Sequence, residues 1–222
     1  MKEYVIIVAA GSGSRMHSAL PKQFMQINGK PILQYAMEKF HRYEPKMEIL
    51  LVLDPDYVQF WIDLARTLNI DIPHRVIAGG KERFHSVKNA IDAINDETGI
   101  VGIHDAVRPL VSLKTIELCY DAARQKCNAI PVIHMHDSIR VMNEGVSAIA
   151  DRNKFRIVQT PQCFELTLLK RAFEQDYDTS FTDDASVVEA MGEKLYLVEG
   201  NRENIKITTT EDLRMATALL LE

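Results

Sequence analysis

Short apolar runs alternate with stretches of helical spacing along most of this chain. "YVIIVAA" (4–10), "MEILLVLD" (47–54), "HRVIAGG" (74–80), "GIVGIHD" (99–105) and "NAIPVIH" (128–134) read as strands. The first is wholly apolar, as a strand covered on both faces must be. "PILQYAMEKFHR" (31–42), residues 56–69, "ERFHSVKNAIDAIN" (82–95) and residues 112–126 read as helices, with Pro31 at a first helical position. Strand–helix–strand rhythm predicts an α/β fold: a Rossmann-like, mostly parallel sheet with helices on both faces. In such sheets ligands bind beyond the carboxyl ends of the strands. The loops 9–24, 79–86 and 104–109 all open onto that edge.

The rhythm breaks at about 136–152. "DSIRVMNEGVSAIADR" (137–152) alternates on either side of Asn143-Glu144-Gly145, a β-hairpin signal. Ile139 and Val141 share one face; Val146, Ala148 and Ala150 share one face of the return strand. A lone two-stranded ribbon is marginal in water, so this arm needs a surface, from its own body or from a second subunit. A helix (182–191), the strand "KLYLVEG" (194–200) and a last helix from about Thr210 follow. No linker or repeat interrupts the pattern, which predicts one domain over 1–222 with a protruding hairpin arm.

Charge and cysteine usage narrow the partners. A formal net charge of −5 gives no broad basic field, so nucleic acid is not expected as a partner. Cys119, Cys127 and Cys163 show no CxxC spacing, against both a disulfide framework and a zinc knuckle, which points to a reducing cytoplasm. The N-terminal run carries Glu3 and passes directly into a Gly/Ser loop, so it reads as a strand rather than a signal segment. No apolar stretch approaches the roughly 20 residues that span a bilayer.

Gly11 and Gly13 in the first loop allow backbone N–H groups to approach phosphate oxygens. The dinucleotide pattern fails at Met16, and Asp54 lies about twice as far as the roughly 20 residues at which that pattern places its acid. The Walker pattern fails too, because Pro31 follows Gly29-Lys30. What remains is Arg15 and Lys22 on one loop, suited to a polyphosphate, or else two solvated surface cations. In "HDAVRP" (104–109), Asp105 could hold Mg²⁺ or a ribose hydroxyl and Arg108 a phosphate; the alternative is an Asp–Arg pair bracing the loop. "GGKERFHS" (79–86) offers close approach at Gly79 and Gly80, with Ser86 as a polar reader, or simply a tight turn into a helix. In "NIKITTTEDL" (204–213), Ile205 and Ile207 face one way and Lys206 the other. His134 and His136 sit at strand spacing without a third metal ligand, so a structural or solvated pair is expected. Asp183 and Asp184 follow Thr182, which reads as an N-cap with acids complementing the helix dipole. Trp61 reads as packing on its helix.

Taken in order, AAGxGxRM (9–16), PKQF (21–24), GGxER (79–83), HDAxRP (104–109), DRN (151–153), TPQxF (160–164), TDxAS (182–186) and NIK (204–206) resemble the 2-C-methyl-D-erythritol 4-phosphate cytidylyltransferases of non-mevalonate isoprenoid synthesis. The likeness runs over almost the whole chain. It implies CTP and a polyol phosphate as substrates, with Arg15 and Lys22 stabilising the transition state and Arg152 and Lys206 positioning the acceptor. By the same likeness Ala9, Ala10, Gly11, Gly13, Gly80, Ser86, Asp105 and Ala106 serve the nucleotide. Asp105, Arg108, Ser138, Thr160 and Thr182 fall on the polyol-phosphate side. It also implies a homodimer in which the arm carries Ser138 and Arg152 to the other subunit's site. Two positions depart from the family's usual residues: Ser138 stands where Thr is common, and Lys81 where an acid is frequent. The ribitol-5-phosphate cytidylyltransferases share HDAVRP, TPQ and NIKITT but tend to AGG at the opening loop and differ in DRN and TDxAS. The expected chemistry is in-line attack by the acceptor's phosphate on the α-phosphorus, with positioning and charge neutralisation in place of a general base. A nicotinamide-dependent oxidoreductase would need the complete dinucleotide fingerprint. A non-catalytic nucleotide-sensing module would leave the cations at 15, 22, 152 and 206 without a purpose.

Overall fold

A computed structural model describes residues 1–11 and 20–221. Strand β1 (Glu3–Ala9) leads to a small ribbon, β2 (Gln26–Ile27) with β3 (Lys30–Pro31), and then to α1 (Ile32–Tyr43). The alternation continues through β4 (Glu48–Leu53), α2 (Val58–Thr67), β5 (Arg75–Ala78), α3 (Arg83–Asp92), β6 (Ile100–Asp105), α4 (Leu113–Lys126) and β7 (Asn128–His134). The arm is β8 (Ile139–Asn143) with β9 (Val146–Ala150). After it come β10 (Arg156–Val158), β11 (Gln162–Glu165), α5 (Leu166–Ala172), α6 (Asp184–Glu189), β12 (Leu197–Glu199) and α7 (Thr210–Leu219).

One curled sheet runs β10-β7-β11-β6-β1-β4-β5, with β12 also on β7. The pairs β5–β4, β4–β1, β1–β6 and β7–β12 are parallel; β11 runs antiparallel between β6 and β7, and β10 is antiparallel to β7. Period-two alternation divides each central strand between two cores. Val5, Ile7, Ile49 and Leu51 join Leu33, Met37 and Phe40 of α1 and Ile116 and Tyr120 of α4 on one face. Tyr4, Ile6, Leu50 and Val52 join Phe84 and Val87 of α3, Leu169 of α5 and Val188 of α6 on the other. A third, smaller core gathers Ile27, Ile32, Val107, Ile207 and Ala216 of α7. Trp61 of α2 is fully buried, and its Nε1 donates to His74 Nε2 at 3.0 Å.

Local details differ from the sequence expectations in several places. Pro31 is the N-cap of α1 rather than its first turn. The N-cap of α6 is Asp183, not Thr182: its carboxylate accepts from the Ser186 N–H at 2.8 Å, and the Asp183 N–H donates to the Ser186 hydroxyl at 3.1 Å, closing a capping box one residue later than expected. Strand β11 and helix α5 fall where no regular element was anticipated, because the buried run Gln162–Phe164 is too short to show a period.

The arm forms as its turn chemistry requires. Ile139 pairs with Ala150, Val141 with Ala148 and Asn143 with Val146, leaving a two-residue loop. Glu144 and Gly145 both take positive φ, 46° and 83°, the conformation whose twist matches a hairpin. His134 and His136 are exposed near its root, and the described residues hold no cluster of three His, Cys, Asp or Glu fit for a metal.

Candidate active site

The carboxyl ends of the parallel strands finish level. Ala9 lies opposite Leu53, Leu53 opposite Ala78, and Val8 opposite Asp105, while the Ala106 N–H donates to the Val8 carbonyl at 3.1 Å. The chain leaves β1 toward β4 on one side and β6 flanks it on the other, so the strand order reverses beside β1. A crevice is expected there. A basin of about 500 Å³ occupies that edge, lined by Val8–Gly11, Lys22, Gln23, Asp54, Gly80–Arg83, Ser86, Asp105, Val107 and Lys206. That volume suits a nucleotide-sized ligand.

Close packing shapes its floor. A Cβ on Gly79 would sit 2.7 Å from the Ala10 Cβ, and one on Gly80 2.5 Å from the His85 Cβ. Only glycine lets the end of β5 approach the first loop and turn tightly into α3. The Gly80 N–H donates to Ser86 Oγ at 3.0 Å, which ties that turn to the first coil of α3. The Glu82 cap of α3 makes no side-chain cap bond, so the positive helix end favours an anion in the basin.

Asp105 is the electrostatic centre. Its Oδ2 accepts from Arg108 Nε at 3.0 Å and from Lys206 Nζ at 3.1 Å. Burial opposes its charge, but Lys206, Arg83 and Arg108 outweigh burial and hold the carboxyl well below the usual range. Behind it runs a directed chain. The Asp105 N–H donates to Thr160 Oγ1 at 3.1 Å, Thr160 contacts His104 Nδ1 at 3.0 Å, and His104 Nε2 meets the Arg108 carbonyl at 3.1 Å. A carbonyl only accepts, so His104 Nε2 carries the proton, Nδ1 accepts, and the Thr160 hydroxyl donates to it. Burial pushes the His104 pKa down to about 4, which keeps this neutral tautomer at physiological pH.

Arg83 is a basin residue that sequence reading missed. Its guanidinium donates to both Asp184 oxygens at 2.7 and 2.6 Å, and Asp184 is 1% exposed. Burial opposes the guanidinium's charge; the fork of two bonds keeps it protonated. Gln162 secures the same corner: its Nε2 donates to Asp183 at 2.7 Å and its Oε1 accepts from the Ala185 N–H at 2.8 Å. Asp184 therefore answers Arg83 as well as complementing a helix dipole. The GGxER motif holds Arg83 in plain view, yet its partner lies 101 residues away and leaves no local trace. Gln23, Asp54 and Glu82 were likewise not anticipated.

The expected residues divide into groups. Ala9, Ala10, Gly11, Lys22, Gly80, Ser86, Asp105 and Lys206 converge on the basin. Ala106, Arg108 and Thr160 lie behind the lining: Ala106 is fully buried, the Arg108 side chain is 12% exposed with Nη1 donating to the Asn204 carbonyl, and the Thr160 hydroxyl is engaged as described. Ser138, Arg152 and Thr182 are exposed and line no part of it. Arg152 donates to the His136 carbonyl at the root of the arm. Gly13 and Arg15 lie outside the described residues.

Comparison with known proteins covers the chain end to end. Residues 4–222 match the family model for 2-C-methyl-D-erythritol 4-phosphate cytidylyltransferase. A protein of that name from Bacteroides fragilis is 52% identical over 215 residues, spanning 97% of this chain and 98% of its own. Another from Bacteroides thetaiotaomicron is 48% identical, spanning 99% and 100%. The crystal structure of 4-diphosphocytidyl-2C-methyl-D-erythritol synthase from Anaerococcus prevotii superposes with a TM-score of 0.84 at 27% identity, covering 100% of this chain and 99% of that one.

Proposed function

The chain belongs to the 2-C-methyl-D-erythritol 4-phosphate cytidylyltransferase family, and we propose how its basin performs that family's reaction. It is a nucleotidyltransferase: it transfers the cytidylyl group of CTP to 2-C-methyl-D-erythritol 4-phosphate, giving 4-diphosphocytidyl-2-C-methyl-D-erythritol and pyrophosphate. The observation that carries the proposal is the meeting of Lys22, Asp105 and Lys206, from three distant stretches, in one basin at the sheet's switch point.

An oxygen of the acceptor's phosphate monoester attacks the α-phosphorus, and the bond from that phosphorus to the β-phosphate oxygen breaks. The monoester is already an anion, so no base has to take a proton. The basin agrees with that: His104 lies behind Asp105 with both ring nitrogens engaged, and Asp105 is held by two cations. The obstacle is repulsion between two anions, which calls for fixed positive charge and orientation. Lys22, with Arg15 of the same loop, neutralises the α-phosphate as the new bond forms. The backbone of Ala9–Gly11, Gly13 and Gly80, with Ser86, seats cytosine and ribose, and Ala106 backs the ribose side. Lys206, oriented by Asp105, faces the acceptor's phosphate, and Arg108 and Thr160 hold Asp105 in place.

Mg²⁺ fits this donor set only as a partner of the triphosphate. Asp105 is the sole buried carboxylate of the described lining, and its Oδ2 already accepts from two cations. One carboxylate oxygen with phosphate oxygens and waters is an ordinary Mg²⁺ shell. The ion would supply further charge neutralisation at the phosphates.

We read the arm as the contact of a homodimer, bringing Ser138 and Arg152 to the partner's acceptor side. Val141, Met142, Val146 and Ile149 of the arm are 52–86% exposed, and Phe155 before β10 with Ile157 and Val158 in it are 40–42% exposed. Surface of that kind marks an interface. Three free thiols, two of them buried, accord with a cytoplasmic enzyme, and among the described residues no helix is long and apolar enough to cross a membrane.

The direct test is pyrophosphate release from CTP with methylerythritol 4-phosphate, ribitol 5-phosphate and related acceptors, and from UTP with each. Release that is fastest with CTP and methylerythritol 4-phosphate supports the proposal. Preference for ribitol 5-phosphate assigns the chain the sister family's substrate. Binding of CTP with no release for any acceptor leaves a nucleotide-sensing role.

A further inference from the structure

Gln23 is 2% exposed, yet its side chain lines the basin. Its Nε2 donates to the carbonyl of Ala9 at 2.7 Å and to that of Gly11 at 3.2 Å. Those two carbonyls stand at the start of the first loop; Gln23 stands just past its end, between Lys22 and the buried Phe24. One amide group therefore joins the two ends of the loop. The neighbours hold Gln23 firmly. Phe24 packs against Tyr57, Phe60 and Trp61 at ring distances of 5.7, 5.1 and 6.4 Å, and the Phe24 N–H donates to the Pro21 carbonyl at 3.0 Å. The turn Lys22–Phe24 is thus anchored to α2 on one side and, through Gln23, to the end of β1 on the other.

The direction of these bonds matters. In a trans peptide the carbonyl of one residue and the N–H of the next point opposite ways. Turning the Ala9 carbonyl to Gln23 turns the Ala10 N–H away from it. Free amides of this kind are what a phosphate or nucleotide loop offers an anion. No other side chain with two amide hydrogens on one nitrogen reaches as far as glutamine, and asparagine is one methylene shorter.

We propose that Gln23 is the positioning residue of the nucleotide loop: it clasps the loop's two ends, presents the Ala10 N–H to the nucleotide, and fixes the distance of Lys22 from that amide. The assignment rests on the reading that the basin takes CTP. Gln23 acts through Ala10 and Lys22 and need not touch the reacting atoms. Its loss therefore weakens CTP far more than the acceptor.

Two variants test this. Gln23→Glu keeps the shape but, when ionised, offers only acceptors to two carbonyls; when protonated it donates one bond. Gln23→Met keeps the length and donates nothing. The measurements are the CTP dissociation constant without acceptor, KM for each substrate, and melting temperature, on wild type first and then on both variants from pH 5 to 9. With one buried and one part-buried bond lost, the CTP dissociation constant is expected to rise on the order of 10-fold or more for Gln23→Met at every pH. The KM for the acceptor should stay within about threefold, against that larger loss. For Gln23→Glu the gap to wild type should be small at low pH and widen as pH rises through the buried carboxyl's raised pKa. CTP affinity within threefold of wild type in both variants overturns the proposal. So does an equal loss of both substrates together with a lowered melting temperature, the mark of a merely structural residue. If Gln23→Glu fails to fold, Gln23→Met decides alone. Wild-type protein that binds no CTP overturns the nucleotide reading itself, and is seen before any variant is made.

Discussion

Asp105 is buried and met by Arg108, Lys206 and the Thr160 hydroxyl, all of its own chain. Ile149, on β9 of the arm, is 86% exposed and belongs to no core cluster. The two regions have different sources of order. In the basin, strand register fixes where the backbone ends and ion pairs fix where the charges stand. In the arm, the ladder and a two-residue turn fix the shape, but Val141, Met142, Val146 and Ile149 find no cover within the described chain. The arm's bonds are largely local: Arg140 donates to Ser147 at 2.8 Å across the ribbon, and Asp151 caps its own next turn. A basin that gathers Lys22, Asp105 and Lys206, and an arm whose apolar surface stays uncovered among the described residues, are what the proposed two-copy site requires.

The largest effect should come from breaking the basin alone. Lys22→Ala is expected to lower kcat on the order of 100-fold or more, about 3 kcal/mol, by analogy with removal of one preorganised donor from a dry site. Sedimentation should show the assembly unchanged if the loss lies in the chemistry. Turnover within a few-fold of wild type would make Lys22 a bystander and remove the basin's claim to the chemistry.

The next effect joins the two regions. Arg152→Ala alone should cost more than tenfold in kcat/KM for the acceptor, in line with loss of a charge-assisted phosphate contact. Mixing it with Lys22→Ala under conditions that exchange subunits discriminates further. If the arm serves the partner's basin, each hybrid dimer regains one intact site, and an equal mixture recovers about a quarter of wild-type activity. If the arm folds back on its own basin, no hybrid site is whole and the mixture stays inactive.

Both regions could be read in the sequence, though to different depths. Strands β1 and β4 announced themselves because both faces are covered, leaving an unbroken apolar run. The hairpin was visible in the alternation around Glu144-Gly145, and Ile205 and Ile207 were rightly separated from Lys206 by their alternation alone. Long-range pairing was hidden. Nothing near Arg83 points to Asp184, and nothing near His104 tells that Thr160 fixes its tautomer. Thr182 and Asp183 are both good caps, and only the reciprocal bond from Ser186 decides between them. The arm's geometry followed from its own residues; what covers it cannot, because that partner is not encoded in local periodicity.

A subtler break concerns His104, which only the basin's network contains. Its pKa in the fold is about 4, against about 6.5 for an unperturbed imidazole. A histidine depressed by folding binds fewer protons in the native state, so its stabilising effect is full above the unfolded value and is lost as pH falls toward 4. Between pH 7 and 5 that loss amounts to about 2 kcal/mol. Urea unfolding at the two pH values should show wild type losing this much more than His104→Gln. Equal slopes for the two proteins would mean that the imidazole is not held neutral.

The smallest expected effect isolates the arm. Gly145 has φ of 83° with open space where a Cβ would lie, so Gly145→Ala meets no clash and suffers only the left-handed backbone penalty. That penalty is about 1 kcal/mol for an L-residue. A body whose cores do not include the turn should keep its melting temperature at dilutions where the protein is monomeric. The cost should fall on assembly, weakening the dimer dissociation constant roughly fivefold. A fall in the monomer's melting temperature with no change in assembly would show the reverse: the turn would then be packed on the body, and the uncovered surface of β8 and β9 would need a partner other than a second copy.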